Sequence, residues 1–204
     1  MKKTIIAICG DKGSGKSTLA KELYTRLDSC MIIPFAGMAK SCVETITGVN
    51  MLDRQPDGSY DYSQKQKSMI LPGGCTLGVF VRDFAEKVRE LDPFVWIDAT
   101  MRIIDESRHR NFIIPDMRLP FEWDALNKAG SGDDYNVYMC RLQPTSRLLE
   151  KTGMDDGRSS DHHTELSHKG MVVDDTFPND YGISNIQLIA DTIISGLRSS
   201  SFLG

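Results

Sequence analysis

The feature that most constrains this chain is an eight-residue stretch near its start, Gly10-Asp11-Lys12-Gly13-Ser14-Gly15-Lys16-Ser17, with the spacing G-x-x-x-x-G-K-[ST]. It follows a continuous apolar run, Thr4 to Cys9 (TIIAIC), and opens a segment in which Leu19, Leu23 and Leu27 recur every four residues. A buried strand, a glycine turn and an amphipathic helix are therefore expected in immediate succession. In that context the glycines let successive backbone N–H groups converge on an anion, and the helix N-terminus adds a favourable dipole. The expected ligand is a nucleotide polyphosphate. Gly13, Ser14, Gly15, Lys16, Ser17 and Thr18 are the candidate phosphate-binding residues, with Lys16 directed to the β and γ phosphates and Ser17 to a Mg²⁺ ion.

The rest of the chain reads as strands alternating with helices, which means a parallel α/β sheet. Met31 to Phe35, Asn111 to Ile114, Val137 to Cys140 and Met171 to Val173 are the further candidate strands. Helices are expected over Met38 to Ile46, over Thr76 to Ser107 with a break at Asp92-Pro93, over Phe121 to Ala129, over Arg147 to Lys151, and over Ile183 to Leu197. Pro93 suits the first turn of the helix that follows the break. Asn50 to Gly74 carries strong turn signals and reads as a mobile insertion, and the polar run Thr152 to His163 as an exposed flap. With 204 residues, 40% hydrophobic and 25% charged, the chain has ample material for a core.

Charge and cysteine content exclude several classes. The 24 basic and 28 acidic side chains leave a net charge of −4, which gives no basic footprint for holding a nucleic-acid backbone. Cys9, Cys30, Cys42, Cys75 and Cys140 form an odd set with no C-x-x-C pair, so reduced thiols in a cytoplasm are expected rather than disulfides or a zinc knuckle. The apolar run before Gly10 is too short for a signal peptide or a membrane span. His162, His163 and His168 lack accompanying ligands at zinc spacing, and Asp53, Asp57 and Asp61 lack the spacing of a calcium loop.

A phosphate loop alone does not separate kinases from switches and motors. A guanine-specific N-K-x-D motif and an apolar strand ending in adjacent acids are both missing, which disfavours the last two. A kinase bringing two polyanions together needs several cations, and Lys40, Arg82, Arg89, Arg118, Arg141, Arg147 and Arg158 are available. Asp116 and Arg118 follow the NFII strand, placing a carboxylate and a guanidinium where open α/β sheets bind ligands. Asp116 can order the Mg²⁺ water shell and Arg118 can clamp phosphate; an ion pair in a turn, or a helix cap, is the plainer use of the same residues. Trp96 and Trp123 lie in apolar helical patterns and read as core, with base stacking as the alternative.

Taken together, the glycine loop, Phe35-Ala36-Gly37-Met38-Ala39-Lys40, Arg89 to Trp96 (RELDPFVW), Ile114 to Arg118 with Glu122, Cys140-Arg141 before Pro144, and His162-His163-Thr164-Glu165 resemble the bacteriophage deoxynucleoside monophosphate kinases, a branch of the nucleoside monophosphate kinases. The resemblance spans most of the chain. It implies an α/β P-loop kinase fold: a five-stranded parallel sheet flanked by helices, with an NMP-binding helical insertion at about 48–107 and a lid at about 152–168, the core comprising 1–47, 108–151 and 169–204. The implied activity is transfer of the ATP γ-phosphoryl group to a deoxynucleoside 5′-monophosphate, with Mg²⁺ as cofactor. A P-loop kinase of another small phosphorylated metabolite is the alternative, with an NTPase switch behind it.

The resemblance makes Lys16, Arg118, Asp116 and Arg89 the catalytic set. It places Lys40, Arg82, Arg89, Trp96, Arg118, Glu122 and Glu165 on the acceptor side, Arg141 and Arg158 on the ATP phosphates, and Ser17 and Asp116 at the metal. Asn179-Asp180-Tyr181-Gly182 resembles the loop bordering the ATP adenine. Two departures stand out: Leu77 and Gly78 occupy the place where the family often carries arginine, with Arg82 one turn on, and Asp53 to Lys67 is poorly matched. The expected partners are ATP and a deoxynucleoside monophosphate, with neither nucleic acid nor membrane; a homodimer stays open, as does base selectivity.

Overall fold

A computed structural model describes residues 2–49, 53–54, 60–61, 64–152, 170–180 and 182–203. In chain order the elements are β1 (Lys3–Gly10), α1 (Lys16–Tyr24), β2 (Cys30–Ile32), α2 (Ala36–Thr47), β3 (Asp53–Arg54), β4 (Tyr60–Asp61) and α3 (Gln64–Lys67). There follow α4 (Leu77–Leu91), α5 (Val95–Glu106), β5 (Asn111–Ile114), α6 (Pro120–Gly130), β6 (Tyr135–Pro144), α7 (Ser146–Thr152), β7 (Asp175–Asn179) and α8 (Ile183–Ser199). By packing, the chain divides into one unit of residues 1–32 with 108–204 and a second of residues 33–107.

The first unit is built on a five-stranded sheet of order β2-β5-β1-β6-β7, with every neighbouring pair parallel. β1 lies at its centre. Ile6 pairs with Ile113 on one side and Tyr138 on the other, and Ile5, Ile6, Ile8 and Cys9 are wholly buried. That burial is why the segment reads as an unbroken apolar run rather than an alternating one. Leu19 and Leu23 of α1 and Ile186, Ile189 and Ile193 of α8 pack with Ile6, Ile8, Cys140 and Leu142 in one core. At roughly 2 kcal/mol for each large aliphatic side chain removed from water, this layer is a major stabilising element of the unit. Thr4 Oγ1 donates to the carbonyl of Phe202 at 2.7 Å, tying β1 to the chain's last turn.

Several expected boundaries shift for identifiable reasons. β2 stops at Ile32 instead of running to Phe35, because Pro34 has no N–H for a ladder and its carbonyl starts the turn into α2, accepting from Gly37 N at 2.9 Å. α1 ends at Tyr24 rather than Leu27, although Leu27 still packs on the core. Pro93 lies in the turn before α5, where Asp92 Oδ1 accepts from Phe94 N at 3.0 Å. The fifth strand of the sheet is Asp175–Asn179, not Met171 to Val173. Those three residues are irregular, and two of their carbonyls take side-chain donors instead: Met171 O from Arg141 at 2.6 Å and Val172 O from the Trp123 indole at 2.5 Å. A strand reading DTFPN escapes hydropathy patterning, yet it sits at the sheet edge, where Pro178 is tolerated.

The second unit has its own core of Val43, Leu71, Leu77 and Val81, adjoined by Ala39, Ala85 and Trp96. Thr76 caps α4, its hydroxyl accepting from Val79 N at 3.3 Å. Within the stretch read as an irregular insertion, β3 and β4 form an antiparallel pair, with Asp53 opposite Asp61. Among the described residues, no helix is long and apolar enough to cross a membrane.

Candidate phosphate-binding site

The site begins where β1 ends. Gly10 has φ +142°, and a Cβ there would overlap the carbonyl oxygen of Leu142 on β6, so the strand can turn into the loop only with hydrogen in that place. Gly15, at the N-cap of α1 with φ +96°, would direct a Cβ to 2.6 Å from Asn179 Nδ2. Between them Ser14 N donates to Asp11 O at 3.1 Å, and Leu19 N returns to Gly15 O at 2.9 Å as the helix starts. α1 has no side-chain hydrogen bond at its N-cap and no acidic residue in its first turn. Its leading N–H groups therefore have no acceptor within the helix, and an anion in the loop is complementary to them.

Lys16 is folded back over this loop. Its residue is 8% exposed, and Nζ donates to the carbonyls of Gly10 and Asp11, each at 2.7 Å, with Ser14 Oγ at 3.5 Å. An ammonium held by carbonyl oxygens can exchange them for phosphate oxygens without moving the backbone. Ser17 and Thr18 are exposed on the first turn of the helix.

β5 pairs in parallel with β1, Ala7 opposite Ile114, so the turn after Ile114 emerges at the same carboxyl edge of the sheet as the loop. Met117 is wholly buried and anchors that turn, leaving Asp116 and Arg118 on either side of it half-exposed. Glu122 fixes the turn from within α6: its Oε2 accepts from Arg118 N at 2.7 Å and Leu119 N at 3.0 Å. The carboxylate expected on the acceptor side is thus engaged in capping its own helix and in setting the backbone of Arg118.

On β6, Arg141 lies opposite Cys9 and donates to Met171 O. Burial raises the Cys9 pKa, with Arg141 acting in the opposite direction. Asp180 accepts from Thr145 Oγ1 at 3.0 Å and from Arg147 at 3.1 Å. Asn179 donates from Nδ2 to Ser14 O at 2.7 Å. That contact joins residues 165 positions apart, and no local pattern in the sequence announces it.

In the second unit, Lys40 is half-buried on α2, while Arg82 and Arg89, seven residues apart on α4, share a helix face. Arg82 Nε pairs with Asp83 at 2.9 Å. Trp96, expected against the acceptor, is 8% exposed; its indole N–H donates to Ala85 O at 3.0 Å and its ring lies 6.1 Å from that of Phe84. Its environment is that of a core side chain. Arg158, Glu165, the three histidines at 162, 163 and 168, Asp57 and most of the expected lid lie outside the described residues. Among the described residues no three His, Cys, Asp or Glu side chains cluster to hold a metal ion by themselves.

No protein-family model matches the chain, and no curated protein matches it. Solved structures do. A gluconokinase from Sinorhizobium meliloti 1021 superposes with a TM-score of 0.52 at 13% identity, over 98% of this chain and 96% of that one. An APS kinase from Mycobacterium tuberculosis, in complex with AMPPNP and APS, gives 0.51 at 14% identity over 97% and 98% of the two chains. TT1252 from Thermus thermophilus gives 0.50 at 10% identity over 97% and 99%. Identities this low carry the fold alone, and with the parallel five-stranded sheet and the glycine loop they show that this chain has the α/β fold of the P-loop kinases.

Proposed function

We propose that this protein transfers the γ-phosphoryl group of ATP to a deoxynucleoside 5′-monophosphate, giving ADP and the diphosphate. The observation that carries the reading is the loop after β1, with Lys16 folded over it and an arginine and a carboxylate, Arg118 and Asp116, delivered by β5 to the same edge of the sheet. An oxygen of the acceptor phosphate forms the new bond to the γ-phosphorus, and the bond from that phosphorus to the β–γ bridging oxygen breaks, its electrons leaving with ADP. The acceptor is already an anion, so no base has to remove a proton. The protein's task is to hold two polyanions in line and neutralise charge, the role proposed for Lys16, Arg118 and Arg141 in the first unit and for Lys40, Arg82 and Arg89 in the second. Arg158 and Glu165, which lie outside the described residues, complete the proposed set.

The residues present suit Mg²⁺. The hydroxyl of Ser17 and the carboxylate of Asp116 are hard oxygen donors, the ligand type that Mg²⁺ takes. Such an ion supplies charge neutralisation on the β and γ phosphates.

A coupled ADP-release assay with dAMP, dCMP, dGMP and dTMP tests the reading, with chromatography of the products. Diphosphate formation from at least one of them is expected; no turnover with any sinks it. The second reading keeps the fold and changes the acceptor to a small metabolite, favoured by superposition on a gluconokinase and on an APS kinase. Phosphorylation of gluconate or APS in the same assay, without nucleoside diphosphate, would establish that alternative.

A further inference from the structure

We propose that Asn179 is a positioning residue for the phosphate loop: by holding the carbonyl of Ser14 it aims the backbone N–H of Gly15 into the loop, toward the bound polyphosphate. This rests on the reading of the loop as a nucleotide site and adds to it a device in the sheet's edge strand.

The argument starts from the peptide plane. In a trans peptide the C=O and N–H point in opposite directions, so whatever fixes the Ser14 carbonyl also fixes the Gly15 N–H. Asn179 Nδ2 donates to that carbonyl at 2.7 Å, and both Asn179 and Ser14 are buried. The need for such a tie comes from Gly15 itself. At φ +96° a glycine has little steric preference between orientations of its preceding peptide, so the backbone alone does not choose one. The side-chain amide also packs flush against Gly15, which is why a Cβ there would come within 2.6 Å of it.

Asn179 is itself held on both sides. Its own carbonyl accepts from Thr145 N at 3.0 Å, and Asp180 N donates to Asn185 Oδ1 at 2.9 Å. The asparagine therefore projects from a fixed strand end. Its Oδ1 is buried with no hydrogen-bond partner among the described residues. An orphaned acceptor carries a desolvation cost that an apolar side chain of similar size would avoid. The acceptor half of this amide makes no bond and the donor half makes one, so the donor is the half that acts on the loop.

The test is isothermal titration with ADP and with inorganic tripolyphosphate, on wild type, Asn179→Ala and Asn179→Asp. Asn111→Ala serves as the control, because Asn111 Nδ2 makes a bond of the same length, 2.7 Å to Asp28 O, at an exposed place at the amino end of β5, away from the loop. Asn179→Ala is expected to weaken both ligands by about tenfold, the loss of one buried hydrogen bond, and Asn179→Asp by at least as much because a carboxylate cannot donate. Asn111→Ala is expected to bind like wild type even where its thermal midpoint falls as far, which separates positioning from general destabilisation. If Asn179→Ala does not fold, the near-isosteric Asn179→Asp carries the test alone. Wild-type affinity in the folded Asn179 variants overturns the proposal and leaves the nucleotide site standing. A wild-type protein that binds neither ligand overturns the nucleotide site, and this inference with it.

Discussion

The carbonyl oxygen of Leu142 fills the space that a Cβ on Gly10 would need, so the phosphate loop is seated directly against the neighbouring strand β6. Gly10→Ala is expected to force β1 and β6 apart or to displace the loop. Strain and overpacking together amount to about 3 kcal/mol. Urea denaturation measures it, and a variant within about 0.5 kcal/mol of wild type would show that the turn has room it is not expected to have.

Lys16 has two duties that one substitution separates. In the structure it closes the loop through the Gly10 and Asp11 carbonyls; in the proposed reaction it neutralises the transferring phosphoryl group. Lys16→Ala should lower kcat by at least about a hundredfold while costing only about 1–2 kcal/mol in the ligand-free protein. A kcat within a few-fold of wild type, measured at saturating ATP, would remove the lysine from the chemistry.

For Glu122 the first effect is expected on stability. Its carboxylate accepts two backbone N–H groups at the start of α6. Glu122→Ala should destabilise by about 1–2 kcal/mol and, through the released backbone of Arg118, reduce turnover. Glu122→Gln retains an acceptor oxygen and should recover most of both. Full stability in the alanine variant would instead point to a role toward the acceptor.

Alkaline pH should unfold the protein from within its central sheet. Burial pushes the Cys9 and Cys140 thiols and the Tyr138 phenol above their ordinary values, 9.0 for a thiol and 10.0 for a phenol. In the unfolded chain these groups lose protons at the ordinary values, whereas in the folded protein they keep them. Their contribution to stability is whole below about pH 9 and is lost as pH rises toward the folded values, at a limiting slope of about 1.4 kcal/mol per unit for each group. Thermal midpoints should be flat from about pH 7 to 8.5 and fall beyond it. Cys140→Ala, though less stable throughout, should show a shallower alkaline decline; an unchanged slope would exclude that thiol as a source.

What could be read from the sequence is what is encoded locally. The loop and its flanking strand and helix lie within residues 3–24, and the reasons for their geometry are in the same residues. The apolar helical surroundings of Trp96 read as core, and it is buried, whereas the resemblance assigns it to the acceptor side. β7 escapes a reading of the sequence because DTFPN has the composition of a loop, and only its place at the sheet edge makes a strand of it. The cap on α6 lacked a recognisable signal because Leu119 stands where serine or threonine would mark a helix start. The bond from Asn179 to Ser14 is a product of tertiary folding, and a search along the chain has no means of finding it.

The central strand has a consequence for biosynthesis. β1 is made before both strands that cover its edges, β5 and β6, which begin only at Asn111 and Tyr135. During translation this apolar segment must therefore wait, with neither edge covered, until the chain through β5 has left the ribosome. A nascent chain stalled before β5 presents a bare, β-prone hexapeptide of the kind that chaperones bind and aggregates recruit.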